Sequence, residues 1–247
     1  MEDKWAPEVA RRGIPYTEGL DPLFDLLTDE AEVARWTNQG LPADRISQEN
    51  GAIVTNCSRW PLLIDPQLQG VKWVKNMEAG NDLKVLQMSR KNFMRELKDA
   101  IQNGNSVLIE NLGETIDAVL EPIISRAIIK RGRNECIQLG EEEVIYHPNF
   151  RLYLQTKLSN PHYRPEVSAQ TTLLNFMVTE QGLEDQLLSL VVNNEKPELE
   201  EERVSLLKQM NEDKIVLKDC EDSLLEELNQ ADEVCLSLRL MCVRVLG

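Results

Sequence analysis

The stretch PLLIDPQLQGVKWVKN, Pro61 to Asn76, passes from an apolar run through a short turn into an amphipathic segment. A short apolar run bounded by turn formers reads as a buried strand. The residues after it, 67–76, read as a helix. Strand, tight loop and helix in this order form the unit in which a nucleotide-binding α/β protein places its phosphate loop.

That loop has the consensus GxxxxGK[ST]. Its glycines let backbone N–H groups wrap the phosphates, its lysine neutralises their charge, and its hydroxyl holds the magnesium ion. With Gly70 as the second glycine, Asp65 stands at the first, Val71 at the lysine and Lys72 at the hydroxyl. Sliding by one residue rescues Lys72, but Pro66 and Val71 then replace the glycines and Trp73 replaces the hydroxyl. Either register fails at three of the four positions. Asp65 would repel phosphate, and Pro66 has no N–H to offer. The expectation is a strand–loop–helix unit of nucleotide-binding type with a degenerate loop.

Four more runs extend the strand reading outward: Leu83–Met88, Ser106–Glu110, Phe150–Thr156 and Leu173–Thr179. Several are almost continuously apolar, as strands covered on both faces must be. Helices are expected at Asn92–Asn103, closed by Gly104, and at Thr115–Lys130. This alternation predicts an α/β fold with a parallel sheet and helices on both faces. Two alternating runs within Cys136–Tyr146 predict a β-hairpin inserted before the fourth core strand. Upstream, Asp29–Trp36 reads as an amphipathic helix packed against the sheet domain.

The third strand ends in Glu110 and Asn111, where nucleotide hydrolases of this class carry Asp then Glu. An amide is no general base, so water activation is not available at Asn111. The plain alternative is a polar cap on a strand end. Arg126, Arg131 and Arg133 form a basic group that suits a helix C-terminus, or presents an arginine to a neighbouring subunit's phosphate. His162 reads as a loop hydrogen-bonder. No HExxH, GxSxG or GxGxxG pattern occurs in the chain.

The 247 residues carry 27 Lys+Arg against 42 Asp+Glu, a net charge of −15. Residues 180–234 hold 17 acidic and 5 basic side chains, so most of the charge lies there. An acidic chain disfavours sequence-blind binding to nucleic acid. No apolar run approaches the ~20 residues of a membrane span. The N-terminus lacks the order of a signal peptide, and five scattered cysteines without a CxxC pair argue against a disulfide scaffold or a zinc site.

From Leu199 the apolar positions are 199, 206, 210, 217, 224 and 228, with Cys220 on the same seam. This is coiled-coil spacing, weakened by Arg203 and Asp213. A straight helix from Pro197 to Asp232 would extend about 50 Å. It needs a partner to bury its stripe. The favoured expectation is a projecting arm whose partner strand is missing; the alternative is a helix folded back on its own domain.

These residues carry a resemblance. Gly40-Leu-Pro-Ala-Asp44, Glu49–Ile53, Arg59–Gly70, Lys72–Asn76, Leu108–Glu114, Tyr146–Leu152 and Thr156–Tyr163 resemble dynein heavy chains, in particular the fifth AAA+ module of the motor ring. Gly182–Leu188 and Leu217–Leu225 extend the likeness into the helical part. The Gln-Leu-Gln-Gly and Tyr-His-Pro wording is closer to axonemal than to cytoplasmic chains.

The resemblance implies an N-terminal lead-in at 1–39, a degenerate AAA+ large domain at 40–182 and a strut (buttress) helix at 183–234. Residues 235–247 form a divergent apolar tail. It implies no nucleotide at this module, with ATP and magnesium at neighbouring modules instead. Gln155 and Thr156 match the polar sensor of the fourth strand, and Arg126 matches an arginine facing the preceding module. The implied partners are adjacent AAA+ modules, the stalk and the strut. Intermediate and light chains and microtubules come in only through the full motor, in the cytoskeleton of a cilium or flagellum. On this likeness the chain is expected to be a fragment or truncated form. Two other functions remain open at this point: a free-standing coiled-coil interaction protein, or an NTPase with an unorthodox loop.

Overall fold

The computed structural model describes residues 27–230 apart from 133 and 141, together with 7–9, 11–13 and 24. The expectations for most of the lead-in, for Arg133 and for the tail at 235–247 lie outside the described residues. The helices are α1 (Glu30–Asn38), α2 (Arg45–Asn56), α3 (Gln69–Met77), α4 (Phe93–Asn103), α5 (Glu121–Ile124), α6 (Pro165–Gln170), α7 (Glu180–Glu195) and α8 (Pro197–Gln230). The strands are β1 (Trp60–Ile64), β2 (Lys84–Gln87), β3 (Ser106–Glu110), β4 (Ile128–Arg131), β5 (Asn134–Leu139), β6 (Glu142–Ile145), β7 (Arg151–Thr156) and β8 (Thr171–Asn175).

Five strands form one sheet in the order β2-β3-β7-β1-β8, and every pairing is parallel. The apolar runs are continuous because both faces are covered. Leu62, Ile109 and Leu154 point into one core with Leu97, Ile101 and Ile123. Their neighbours Leu63, Leu108 and Tyr153 point into the other, with Trp36, Trp73 and Val74 from the helices. Each fully buried leucine or isoleucine contributes about 1.5–3 kcal/mol relative to exposure, so these alternating pairs fix the register of the sheet.

Local signals explain most boundaries. Asp29 caps α1 through the Glu32 N–H at 2.8 Å, and Gly104 closes α4 in the left-handed region at φ 75°. Helix α2 shows no clear apolar stripe in the sequence, because four of its five buried residues, Ser47, Asn50, Gly51 and Ala52, are small or polar and only Val54 is a larger apolar residue. Gly51 is needed there, since a β-carbon would stand 3.0 Å from the Trp36 ring.

Corrections fall in three places: the helix and hairpin region, the last core strand and the arm. The helix expected over Thr115–Lys130 is only a 3-10 turn at Ala118–Leu120 and the single turn α5. Pro122 can sit only in the first turn of a helix, and Arg126 at φ 50° ends the path. Residues Ile128–Arg131 instead form β4, so the expected hairpin is a three-stranded antiparallel sheet, β4-β5-β6. The last core strand is shifted forward from Leu173–Thr179 to Thr171–Asn175, where the Asn175 carboxamide accepts the Met177 N–H at 3.0 Å and turns the chain.

The third correction concerns the arm. The helix breaks at Lys196, and α8 packs against α1 rather than projecting free of its domain. The contact is polar: Asn211 donates to Asn38 at 3.0 Å, Lys214 pairs with Glu30 at 3.1 Å and Arg35 with Asp219 at 3.4 Å. The apolar seam faces elsewhere. Leu199, Leu206, Met210, Leu217, Leu224 and Leu228 are each 48–63% exposed.

Candidate functional site

In an open parallel sheet, ligands bind beyond the carboxyl ends of the strands, where strand order reverses. Here that place is the junction of β3, β7 and β1, with the loop Asp65–Leu68 leading into α3. A cavity of about 350 Å³ opens beside it, lined by Leu68, Gln87, Glu110, Asn111, Gln155 and Lys157 among others.

Asp65 is fully buried. Its backbone is held by β7, with its N–H donating to the Thr156 carbonyl at 3.0 Å. Its carboxylate turns into its own loop and accepts the N–H of Gln69 at 3.1 Å and of Val71 at 2.9 Å. Burial outweighs the backbone hydrogen bonds from Val71, Gln69, Gly70 and Leu68 and holds the Asp65 carboxyl above its ordinary value. Those N–H groups are the donors that a phosphate loop offers to its ligand.

The other loop positions serve packing. Gly70 lies under Phe176, where a β-carbon would stand 2.9 Å from the ring. Val71 and Trp73 are buried in the core. Trp73 meets Trp36 edge-on with centroids 6.1 Å apart. Lys72 is exposed on the outside of α3 and does not line the cavity.

Glu110 ends β3 beside this loop. One of its oxygens pairs with Lys75 of α3 at 2.7 Å, and the other accepts from Gln87 at 3.3 Å. Burial raises the Glu110 carboxyl, but the hydrogen bonds from Lys75 and Gln87 outweigh it and hold the group below its ordinary value. Asn111 takes a left-handed backbone, φ 58°, and its N–H donates to Gln155 at 2.8 Å. Gln155 in turn donates to the Asp65 carbonyl at 3.1 Å. One amide thus ties the loop after β1 to the loop after β3. Thr156 donates to the Leu112 carbonyl at 2.8 Å and accepts from the Leu158 N–H at 3.2 Å.

Arg126 lies apart from this site, across the start of β1. Its guanidinium stacks over the Trp60 ring at 3.8 Å from the centroid, and the Trp60 indole N–H donates to the Ile123 carbonyl at 2.8 Å. The expected loop, acid and sensor residues are therefore brought together, and Arg126 is held on a separate face.

Sequence reasoning missed Lys75, Gln87 and Phe176. Lys75 and Gln87 look like ordinary exposed polar residues until the sheet order sets α3 and β2 beside Glu110.

A carboxylate takes the loop donors, Pro66 offers none, and an ammonium lies on the strand-end acid. Among the described residues no cluster of His, Cys, Asp and Glu suits a metal ion. The fold defines an AAA-like α/β module, in which the Asp65 carboxylate lies on the loop between β1 and α3.

Residues 34–237 match the family described as the ATP-binding dynein motor region, and the chain belongs to that family. It is 53% identical over 231 residues to the flagellar outer arm dynein beta chain of Chlamydomonas reinhardtii. It is 54% identical over 233 residues to mouse dynein axonemal heavy chain 17, and 52% over 230 residues to the Chlamydomonas flagellar outer arm alpha chain. In the first two, 94% of this chain is covered but only 5% of the relative. The chain spans about a twentieth of the length of the curated relatives it matches.

Proposed function

We propose that this chain is a non-catalytic module of an axonemal dynein motor, acting in the microtubule-based movement of cilia or flagella. It binds no nucleotide itself and passes rearrangements of an ATP-driven ring to the stalk through the α7–α8 arm. The observation that supports this most is Asp65, whose carboxylate takes the Gln69 and Val71 N–H groups a phosphate would need. The identity with flagellar and ciliary dynein chains supports the setting.

In this reading the partners are adjacent AAA+ modules and the rest of the strut and stalk. The seam of α8 receives the returning strut helix, and Arg126 faces the nucleotide of the preceding module. Intermediate and light chains and microtubules enter only through the full motor.

Isothermal titration of the chain with Mg-ATP tests the central point. No saturable heat is expected up to millimolar nucleotide; an affinity in the micromolar range overturns the reading.

A further inference from the structure

A bound metal nucleotide brings two charges to this kind of site: an anion under the loop N–H groups and a cation at the strand-end acid. In this chain both positions are filled from within. The Asp65 carboxylate accepts from Gln69 and Val71 at 3.1 and 2.9 Å. The Lys75 ammonium lies 2.7 Å from Glu110. Gln155 joins the two halves, donating to the Asp65 carbonyl and accepting from Asn111.

We infer that Asp65 and Lys75 form an internal stand-in for a metal-bound phosphate, which holds the ends of β1, β3 and β7 in one closed arrangement. The inference rests on the non-catalytic reading and adds how the module stays set without a ligand. An empty phosphate loop leaves several N–H groups converging on nothing, and unsatisfied buried donors are costly. A carboxylate supplies charge-assisted hydrogen bonds in their place. A ligand can shift a two-state element only through differential affinity for its states. With its donors already filled, this module has no such lever and moves as a rigid relay between neighbours that do switch.

Amide hydrogen exchange on the 247-residue chain tests this. In Asp65→Gly, exchange at Gln69 and Val71 is expected to speed up by about tenfold or more, the loss of one charged hydrogen bond. The Val107–Ile109 amides of β3 keep their protection. Millimolar inorganic phosphate then slows Gln69 and Val71 again in the variant and has no effect on the parent. Unchanged loop exchange with β3 intact overturns the Asp65 half.

If Asp65→Gly does not fold, Asp65→Asn keeps one acceptor oxygen and is expected to give an intermediate rate; parental exchange there overturns the same half. For Lys75, the carbon-13 titration of the Glu110 carboxyl in Lys75→Met is expected to move to higher pH. No movement overturns that half. ATP binding to the parent chain sinks the non-catalytic reading, whereas normal loop exchange in the variants without ATP binding sinks only this inference.

Discussion

The ring of Phe176 packs against Gly70, so near that a β-carbon on Gly70 would stand 2.9 Å from the ring. The glycine that most invites a phosphate-loop reading is therefore required by packing between α3 and the end of β8. Gly70→Ala is expected to destabilise the chain by about 1–3 kcal/mol, the usual cost of overpacking. Urea denaturation measures it, and the loss should be the same with and without Mg-ATP. A nucleotide-dependent difference contradicts the packing role.

A second glycine is constrained twice. Gly104 holds φ 75°, and the imidazole of His147 occupies the space a β-carbon would take. Gly104→Ala should cost roughly 2–5 kcal/mol, combining left-handed strain with overpacking. His147→Ala relieves only the clash, so the double variant should recover part of the loss. Thermal melts of the three variants check this.

Glu78 is buried at the amino-terminal edge of the sheet and accepts from Tyr153 at 2.6 Å, Ser106 at 2.7 Å and Asn81 at 2.8 Å. Burial pushes its carboxyl up, but those hydrogen bonds and the Arg151 charge outweigh it and lower the value from 4.5. A carboxyl lowered in the folded state adds stability that is fully present above its unfolded value and is lost as pH falls through the folded one. Glu78→Gln should thus cost most at neutral pH, about 1–3 kcal/mol. The gap from the parent should narrow below pH 4.5, which urea titrations at pH 7 and pH 4 would show.

Arg126 combines a strained backbone with a stacked side chain. The left-handed conformation costs about 1–2 kcal/mol for a residue with a β-carbon, while an exposed cation–π contact on Trp60 returns about 0.5–1 kcal/mol. Arg126→Ala keeps the strain and loses the contact, so it should destabilise by about 1 kcal/mol or less. Arg126→Gly also removes the strain and should equal or exceed the parent. Paired denaturation curves separate the two.

The contact between α8 and α1 should be carried by the hydrogen bond from buried Asn211 to Asn38 rather than by the ion pairs. The Arg35 and Asp219 side chains are 44% and 64% exposed, and exposed pairs couple by about 0–1 kcal/mol. A double-mutant cycle on Arg35 and Asp219 should fall in that range. Asn211→Ala, which leaves Asn38 without its partner, should cost about 1 kcal/mol and speed amide exchange in α1.

Much of the fold was legible because strands and helix stops are written locally. The runs at β1, β2, β3 and β7 needed only their own apolar residues, and Gly104 announced the end of α4. Reading failed where a local pattern was ambiguous or absent. The residues around Pro122 look helical by composition, but one proline and one left-handed residue divide them. Apart from Val54, the buried residues of α2 are too small or polar to show a stripe. The mismatch of the loop with the phosphate-loop consensus could be read position by position from Asp65, Pro66, Val71 and Lys72.

The sequence by itself determined the layers of the sheet domain, the family likeness and the apolar seam of α8, since each depends on the order and spacing of residues along the chain. Only the tertiary structure decided that Lys75 sits on Glu110, that Gln155 ties two loops, that Arg126 lies on Trp60 and that α8 rests on α1. Those pairs are distant in the chain. A hydrogen bond or ion pair needs atoms within about 3–4 Å, and here the β2-β3-β7-β1-β8 order and the docking of helices on it set that distance.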